Sequence, residues 1–310
     1  MSDIEYIILV SNQAIDKQKW DNAIAASTGA RMYASSVWFD CMSPNWTALI
    51  LGDYEAVMPL PAKKKWLIKY LAQPPFTQQL GIFSAKKLAP TIINQFITKT
   101  QQLYKFGEIA VDAQFANLEN GISTAMKKNY VLDLSAGYDF IKANYSNDLI
   151  KKNLQRSKKF NLQYLATNDV EMAIHQFYTL YADRTPHVTE KNYQQLATLA
   201  KRMLPAQKAF VREVRLPNNT LLACGLFFKD DKRIYNIASS TLPDGRTLEA
   251  NHFLFDELIK EFAGTDLLLD FEGSDLPGVE RFYKKFGAAL EPYFFIRWNY
   301  LSWPIRLLKQ

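Results

Sequence analysis

Apolar and polar positions along the chain change period repeatedly, from two to about three and a half, and each change marks a predicted element. EYIILVS (5–11) reads as a strand, and AIDKQKWDNAIAAS (14–27) sets Ile15, Trp20 and Ile24 at helical spacing. SSVWFDCMS predicts a short helix capped by Ser35 or Ser36. WTALILGDYEAVMPLP gives two strands around a Gly52-Asp53 turn, and YLAQPPFTQQLGIFS an extended segment broken by proline. APTIINQFITKTQQLYKF (89–106) is an amphipathic helix with Pro90 in its first turn. EIAVDAQFA is then expected as a strand, GISTAMKK as a short helix and YVLDL as a strand.

The second half repeats that order. FNLQYLAT predicts a strand, with helices over DVEMAIHQFYTLYADR and YQQLATLAKRM. AFVREVRLPNNTLLACGLFFKDDKRIYNIASS gives three strands with turns at Pro217-Asn218-Asn219 and Asp230-Asp231-Lys232. LEANHFLFDELIKEFAG is a long helix ending at Gly264, and LLLDFEGS, GVERFYKKFG and ALEPYFFIRWN follow as strand, helix and strand. The order recurs with a period of about 160 residues, Asp112 falling opposite Asp270, which predicts two α/β domains of one topology. We place them at 1–136 and 137–310, with the polar helical segment 137–160 joining them.

A hydrophobic content of 48% excludes wholesale disorder, and no apolar run approaches the ~18 residues that a transmembrane helix requires. Acids at the start of MSDIEYIILV argue against a secretory signal, and two isolated cysteines, Cys41 and Cys224, fit a reducing compartment, so a cytoplasmic protein is expected. Three scattered histidines offer no paired-ligand spacing, so no metal is expected. The net charge of +6 is partly clustered, in Lys63-Lys64-Lys65 and in Lys151, Lys152, Arg156, Lys158 and Lys159. Lys152, Arg156 and Lys159 recur at helical spacing, as a phosphate-binding face or as an ordinary solvated one. The aromatic, basic tail YFFIRWNYLSWPIRLLKQ completes the last strand or touches a membrane interface.

The stretch LLLDFEGSDLPGVERFYKKFG carries the clearest chemistry. A strand that opens into a polar tip ahead of a helix frees backbone groups to face a ligand. Asp270, Glu272 and Ser274 alternate along one face there, able to accept an amine proton or to cap the next helix. Gly273 supplies backbone freedom. His252, early in the long helix, is a candidate acceptor or base at the site, or a packing residue. Ser240, at the end of the third central strand, and Arg246 complete the candidate substrate-binding set.

Taken together, YSNDLIKKNLQRSKKFNLQY, GLFFKDDKRIYNIASST with LEANHFLFDELIKEF, and LLLDFEGSDLPGVERFYKKFGA resemble the GNAT acyltransferase fold, in the tandem form of the Fem aminoacyltransferases and their FemAB-like relatives. The resemblance covers nearly the whole chain. It implies two tandem GNAT-like domains with mixed, mostly antiparallel sheets flanked by helices, the first domain non-catalytic and the second holding the active site. It also implies transfer of an acyl or aminoacyl group, from acyl-CoA or charged tRNA, to an amine on a small molecule or cell-wall precursor, without DNA as a partner. The alternative is a duplicate that binds a ligand or partner without catalysis. Tyr283 stands where many GNAT enzymes have a tyrosine that protonates the departing thiolate, or else packs among Phe282, Phe286 and Tyr293. One departure bears on the donor. The family's pyrophosphate loop is missing: in Leu242-Pro243-Asp244-Gly245-Arg246, ahead of the long helix, Gly245-Arg246 could serve an anion, and Gln78-Gln79-Leu80-Gly81-Ile82-Phe83 in the first half starts as that loop does but ends in Phe.

Overall fold

The computed structural model describes residues 6–65, 68–112, 122–273 and 276–306. The chain folds into two compact units, residues 1–127 with 292–310, and residues 128–291. The boundary expected at 136/137 therefore lies a few residues away, and the last strand groups with the first unit.

In the first unit β1 (Ile7–Ser11) leads to α1 (Lys17–Ala26), whose N-terminal amides at Gln18 and Lys19 donate to the Asp16 carboxylate. Next come α2 (Ser36–Met42), β2 (Thr47–Leu51), β3 (Ala56–Leu60), β4 (Ala62–Lys65), β5 (Ile68–Ala72), the two-residue β6 (Phe83–Ser84), α3 (Pro90–Leu103) and β7 (Phe106–Val111). Strands β1, β2 and β3 pair antiparallel, Ile7 opposite Leu51 and Leu49 opposite Met58. β4 pairs antiparallel with β5, which runs parallel to β7 with Leu71 opposite Gly107. β2 and β3 are buried almost throughout, as strands covered on both faces are. Their side chains meet Phe96 and Ile97 of α3 in one apolar core.

The second unit begins on β8 (Ser123–Asp133), followed by α4 (Tyr138–Ala143), a π-helical turn at Leu149–Leu154, α5 (Gln155–Ser157), β9 (Gln163–Thr167), α6 (Val170–Tyr181) and α7 (Glu190–Met203). Strands β10 (Ala209–Arg215), β11 (Leu221–Lys229) and β12 (Arg233–Thr241) lead to α8 (Pro243–Thr247), α9 (Ala250–Phe262), β13 (Leu268–Asp270) and α10 (Pro277–Lys285), and the chain's last strand is β14 (Ala289–Asn299). β9 to β12 pair antiparallel in chain order, β12 runs parallel to β13, and β13 pairs antiparallel with β8. α7 forms because Thr189 and Asn192 close a capping box and Tyr193, Leu196, Leu199, Ala200 and Met203 make one buried stripe.

The two units share a topology. β1-β2-β3 corresponds to β9-β10-β11, the parallel pair β5/β7 to β12/β13, and each parallel pair ends against one further antiparallel strand. That further strand comes from the other half of the sequence: β14 lies on β7, Ile296 opposite Ile109, and β8 lies on β13, Asp133 opposite Leu268. The helix expected over GISTAMKK is absent among the described residues, because Ser123–Asp133 is one extended strand. Gly107 marks the closeness of β14 to β7. A Cβ there would stand 2.2 Å from the Trp298 ring, whose Nε1 donates to Tyr104 O at 2.8 Å.

Candidate functional site

Where β12 and β13 part, the second unit opens. The two strands pair only at Arg233–Leu268, Ile234–Leu269 and Tyr235–Asp270. Beyond Asp270 the chain stays with β8, since Phe271 N–H donates to Tyr130 O at 3.0 Å. β12 continues to Thr241 paired with β11 alone, through a bulge that inserts Ile237 between Asn236 and Ala238. Parting parallel strands leave a crevice beyond their carboxyl ends, a usual place for a ligand.

At the far end of β12 lies a cavity of about 330 Å³, lined by Tyr181, Thr241, Arg246, Asn251, His252 and Phe282, with Arg184, Gly245 and Glu249 completing the wall. Asn251 Oδ1 and His252 Nε2, both on the first turn of α9, are buried without a hydrogen-bond partner, as are Ser240 Oγ, beside Thr241, and Asn236 Oδ1 on β12. A buried polar atom left unsatisfied costs about 1–3 kcal/mol. Two such atoms on residues that line one cavity, Asn251 and His252, are what a site waiting for a polar ligand would keep.

His252 is well held. Its Nδ1 lies 2.8 Å from Glu249 Oε2, and its ring meets Phe282 at 4.9 Å and Phe286 at 6.3 Å between centroids. Burial pulls the imidazole pKa down to about 4, Glu249 opposing and the Lys285 charge reinforcing the shift. The ring is neutral at physiological pH. Glu249 adopts φ of +60°, and Glu272, across the crevice at the strand tip, +62°, a conformation uncommon outside glycine.

α8 forms one wall of the cavity. Gly245 packs so closely on β11 that a Cβ would stand 2.1 Å from the Leu222 carbonyl oxygen. Backbone on both sides cannot yield by a rotamer change. Gly245→Ala is therefore expected to destabilise the protein by about 1–3 kcal/mol through overpacking and to displace Arg246 and Glu249. An unchanged melting temperature in a thermal scan would show that α8 yields freely.

The remaining candidates fall in different surroundings. Asp270 is 1% exposed, its Oδ2 accepting from Arg233 Nη1 at 3.1 Å and its Oδ1 from Glu272 N–H at 3.0 Å. Both oxygens are engaged in holding the strand tip. Tyr283 is buried against Phe271, Phe282 and Tyr130, and burial first, then the Glu272 and Asp270 charges, raises its phenol well above the ordinary range. Gly273 has φ of +33°, and Ser274 lies outside the described residues.

Lys152, Arg156 and Lys159 are exposed on a segment that passes from π-helix to α-helix to 3-10 helix, so they do not recur on one regular helical face. Lys152 pairs with Asp148 at 3.0 Å. The sequence pointed to Arg246, His252 and Ser240. It did not point to Glu249, Asn251 or Arg184, although Glu249 and His252, three apart at a helix start, could have been read as a pair.

Among the described residues no group of three or more His, Cys, Asp or Glu is placed to hold a metal ion, and no helix is long and apolar enough to cross a membrane. Neither Cys41 nor Cys224 is in a disulfide.

No family model and no curated protein matches the sequence. Solved structures do match. A structure of FemX superposes with a TM-score of 0.68 over 95% of this chain and 98% of its own, at 11% identity. L-PGS from Bacillus licheniformis does so with a TM-score of 0.56 over 94% and 95%, at 11% identity. A tandem GNAT protein from the clavulanic acid biosynthesis pathway gives 0.52 over 94% and 98%, at 10% identity. At these identities the likeness establishes the fold: the chain is a mixed α/β protein of the tandem GNAT-like kind, similar in architecture to FemX.

Proposed function

We propose that this tandem GNAT-like chain transfers an acyl or aminoacyl group to an amine by direct attack, with the chemistry in the second unit and none in the first. The observation that carries the reading is the convergence of buried, unpartnered polar atoms, Asn251 Oδ1 and His252 Nε2 above all, on a cavity beyond the point where β12 leaves β13. Such atoms lose little when a ligand's polar groups replace water, and they orient it. Direct attack fits the state of Cys224, which is buried and whose thiol is pushed up to about 12, the reverse of an activated nucleophile.

Tyr283, whose pKa stays high, would remain a proton donor for a departing thiolate at any physiological pH. Glu272 would face the acceptor amine from the strand tip, and Asp270 would hold that tip. Ser274 and Gly273 would contribute at the same tip. FemX and L-PGS among the similar structures support keeping charged tRNA beside acyl-CoA as donor, and a cell-wall precursor or small-molecule amine as acceptor. The exposed Lys152, Arg156 and Lys159 would steer a polyanionic donor, and Trp303, 79% exposed, would be the tail's contact with a membrane surface.

In place of the missing pyrophosphate loop, Arg184 and Arg246 would supply the charge for a phosphate-bearing substrate. The double change Arg184→Ala, Arg246→Ala is then expected to weaken binding of acyl-CoA or charged tRNA about tenfold or more, in a salt-dependent way. Stability should change by only ~0–1 kcal/mol, since both side chains are exposed. Calorimetric titration at two salt concentrations measures the first effect and thermal melting the second. Equal affinity in variant and parent would remove both arginines from the site.

A specific observation favours the second reading, a non-catalytic ligand-binding duplicate: Asp270 is locked in an ion pair and Tyr283 is deeply buried. Incubation of the purified protein with acyl-CoA and charged-tRNA panels and with amines separates the two, alongside native mass spectrometry for a co-purified ligand. Transfer to any amine supports catalysis; binding without transfer supports the duplicate.

A further inference from the structure

We infer that His252 and Glu249 form the proton-accepting pair of this site, His252 Nε2 taking the proton from the attacking amine and Glu249 acting as the positioning residue that fixes the imidazole. The inference rests on the transfer reading above and adds to it the group that receives the proton.

The geometry leads there in steps. A carboxylate only accepts, so the 2.8 Å approach of Glu249 Oε2 to Nδ1 assigns the imidazole hydrogen to Nδ1. Nε2 then carries the lone pair. It is buried, it has no partner, and its residue lines the cavity. A free lone pair on a residue that lines a cavity, in a ring whose other nitrogen is tied to a carboxylate, is the arrangement from which a general base works.

Orientation is fixed on two sides, by the Phe282 and Phe286 rings and by Glu249. Glu249 holds its place at φ of +60°, a strained backbone kept at the residue that orients the ring. The groups facing the imidazole are Glu249 at the start of its own helix, Arg246 of α8, Arg184 and Tyr181 at the end of α6, and Lys285 of α10. Burial, reinforced by the Lys285 charge, outweighs the Glu249 carboxylate and keeps the ring unprotonated in the resting site. The other acid at hand is less suited: both Asp270 oxygens are already engaged.

The step balances without a redox partner. The neutral amine attacks the carbonyl carbon of the thioester or aminoacyl ester, an N–C bond forms, and the nitrogen becomes positive. Its N–H proton passes to His252 Nε2. The adduct collapses, the C–S or C–O bond breaks, the departing thiolate or alkoxide takes the Tyr283 proton, and the imidazolium returns its own through water to the phenolate, restoring both residues.

The test uses the full chain and its variants His252→Gln and Glu249→Gln in single-turnover transfer to two acceptors, an alkyl amine and the weakly basic methoxyamine. The positive adduct of methoxyamine sheds its proton to water unaided. His252→Gln should slow transfer to the alkyl amine at saturating donor by about a hundredfold or more, and should slow transfer to methoxyamine far less. Glu249→Gln should give a smaller loss of the same pattern. In ¹⁵N NMR of the parent, His252 should show hydrogen on Nδ1. A uniform loss across both acceptors, an unchanged rate in His252→Gln, or hydrogen on Nε2 would overturn the assignment while leaving the transfer reading in place. A parent protein that transfers nothing from either donor class would overturn the transfer reading itself, and the pair's catalytic role with it.

Discussion

Arg233→Met is expected to cost about 3–5 kcal/mol of folding free energy. The Arg233 side chain is 8% exposed and that of Asp270 1%, and they meet at 3.1 Å. Glu291 completes the cluster, its oxygens 2.8 and 2.6 Å from the guanidinium nitrogens. Two carboxylates hold the guanidinium charged against its burial. Removing the cation leaves Asp270 buried without its charge partner, at the three-residue pairing of β12 with β13 on which the crevice depends. The double change Arg233→Met, Asp270→Leu should recover much of the loss, because an apolar pair of similar volume avoids desolvating either ion. Urea unfolding of the parent and both variants decides it. A single variant within 1 kcal/mol of the parent would mean that Asp270 finds water or another donor.

That cluster also shows where the sequence reading reached its limit. Asp270 at the tip of an apolar strand looks catalytic when the tip is read alone. Its partner, Arg233, lies across a parallel strand pair whose register no local pattern reveals. The same limit explains GISTAMKK. Alanine, methionine and lysine favour helix, and residues 123–126 are exposed, so local preference said helix. Instead it begins one strand, Ser123–Asp133, whose later residues Val131, Leu132 and Asp133 pair with Asp270, Leu269 and Leu268, far along the chain. The exchange of β8 and β14 was hidden for the same reason.

What depends on local pattern was legible. The amphipathic stripe of α3, Pro90 in its first turn, the helix α7 and the two turns between β10, β11 and β12 all follow from residues within a few positions of one another. The repeat was legible too, because it is a recurrence of such local patterns, and the similar solved structures bear out the tandem fold. In the site, Arg246 and His252 could be named because they precede or open a strongly periodic helix. Glu249 was not named as the partner of His252, although their spacing of three at a helix start is the one signal that pointed to it. Similarly, the basic run at 151–159 suggested one helical face, and the π-helical turn before Gln155 breaks the spacing on which that face depended.

The buried histidine should also be visible in the pH dependence of stability. In the unfolded chain His252 binds its proton near the ordinary value of 6.5, and in the folded protein only near about 4, chiefly because burial penalises the imidazolium. Between those values the unfolded state holds the proton and the folded state does not, so acidification favours unfolding. The stabilisation is fully present above pH ~6.5 and is lost as pH falls toward ~4, with a total of about 3 kcal/mol from this group. Asp256, whose carboxyl is raised by burial, acts in the opposite sense, and Glu280, held down to about 2 by Lys128, Lys284 and Tyr130, loses its contribution mostly at lower pH. Both are common to parent and variant and cancel in the difference. Urea unfolding of the parent and of His252→Gln from pH 7.5 to 4 should therefore converge or cross: the parent loses about 3 kcal/mol more than the variant across the window. Parallel curves would mean that His252 gains its proton at its ordinary pKa in the folded protein, and the neutral imidazole on which the proposed base depends would be lost near pH 6.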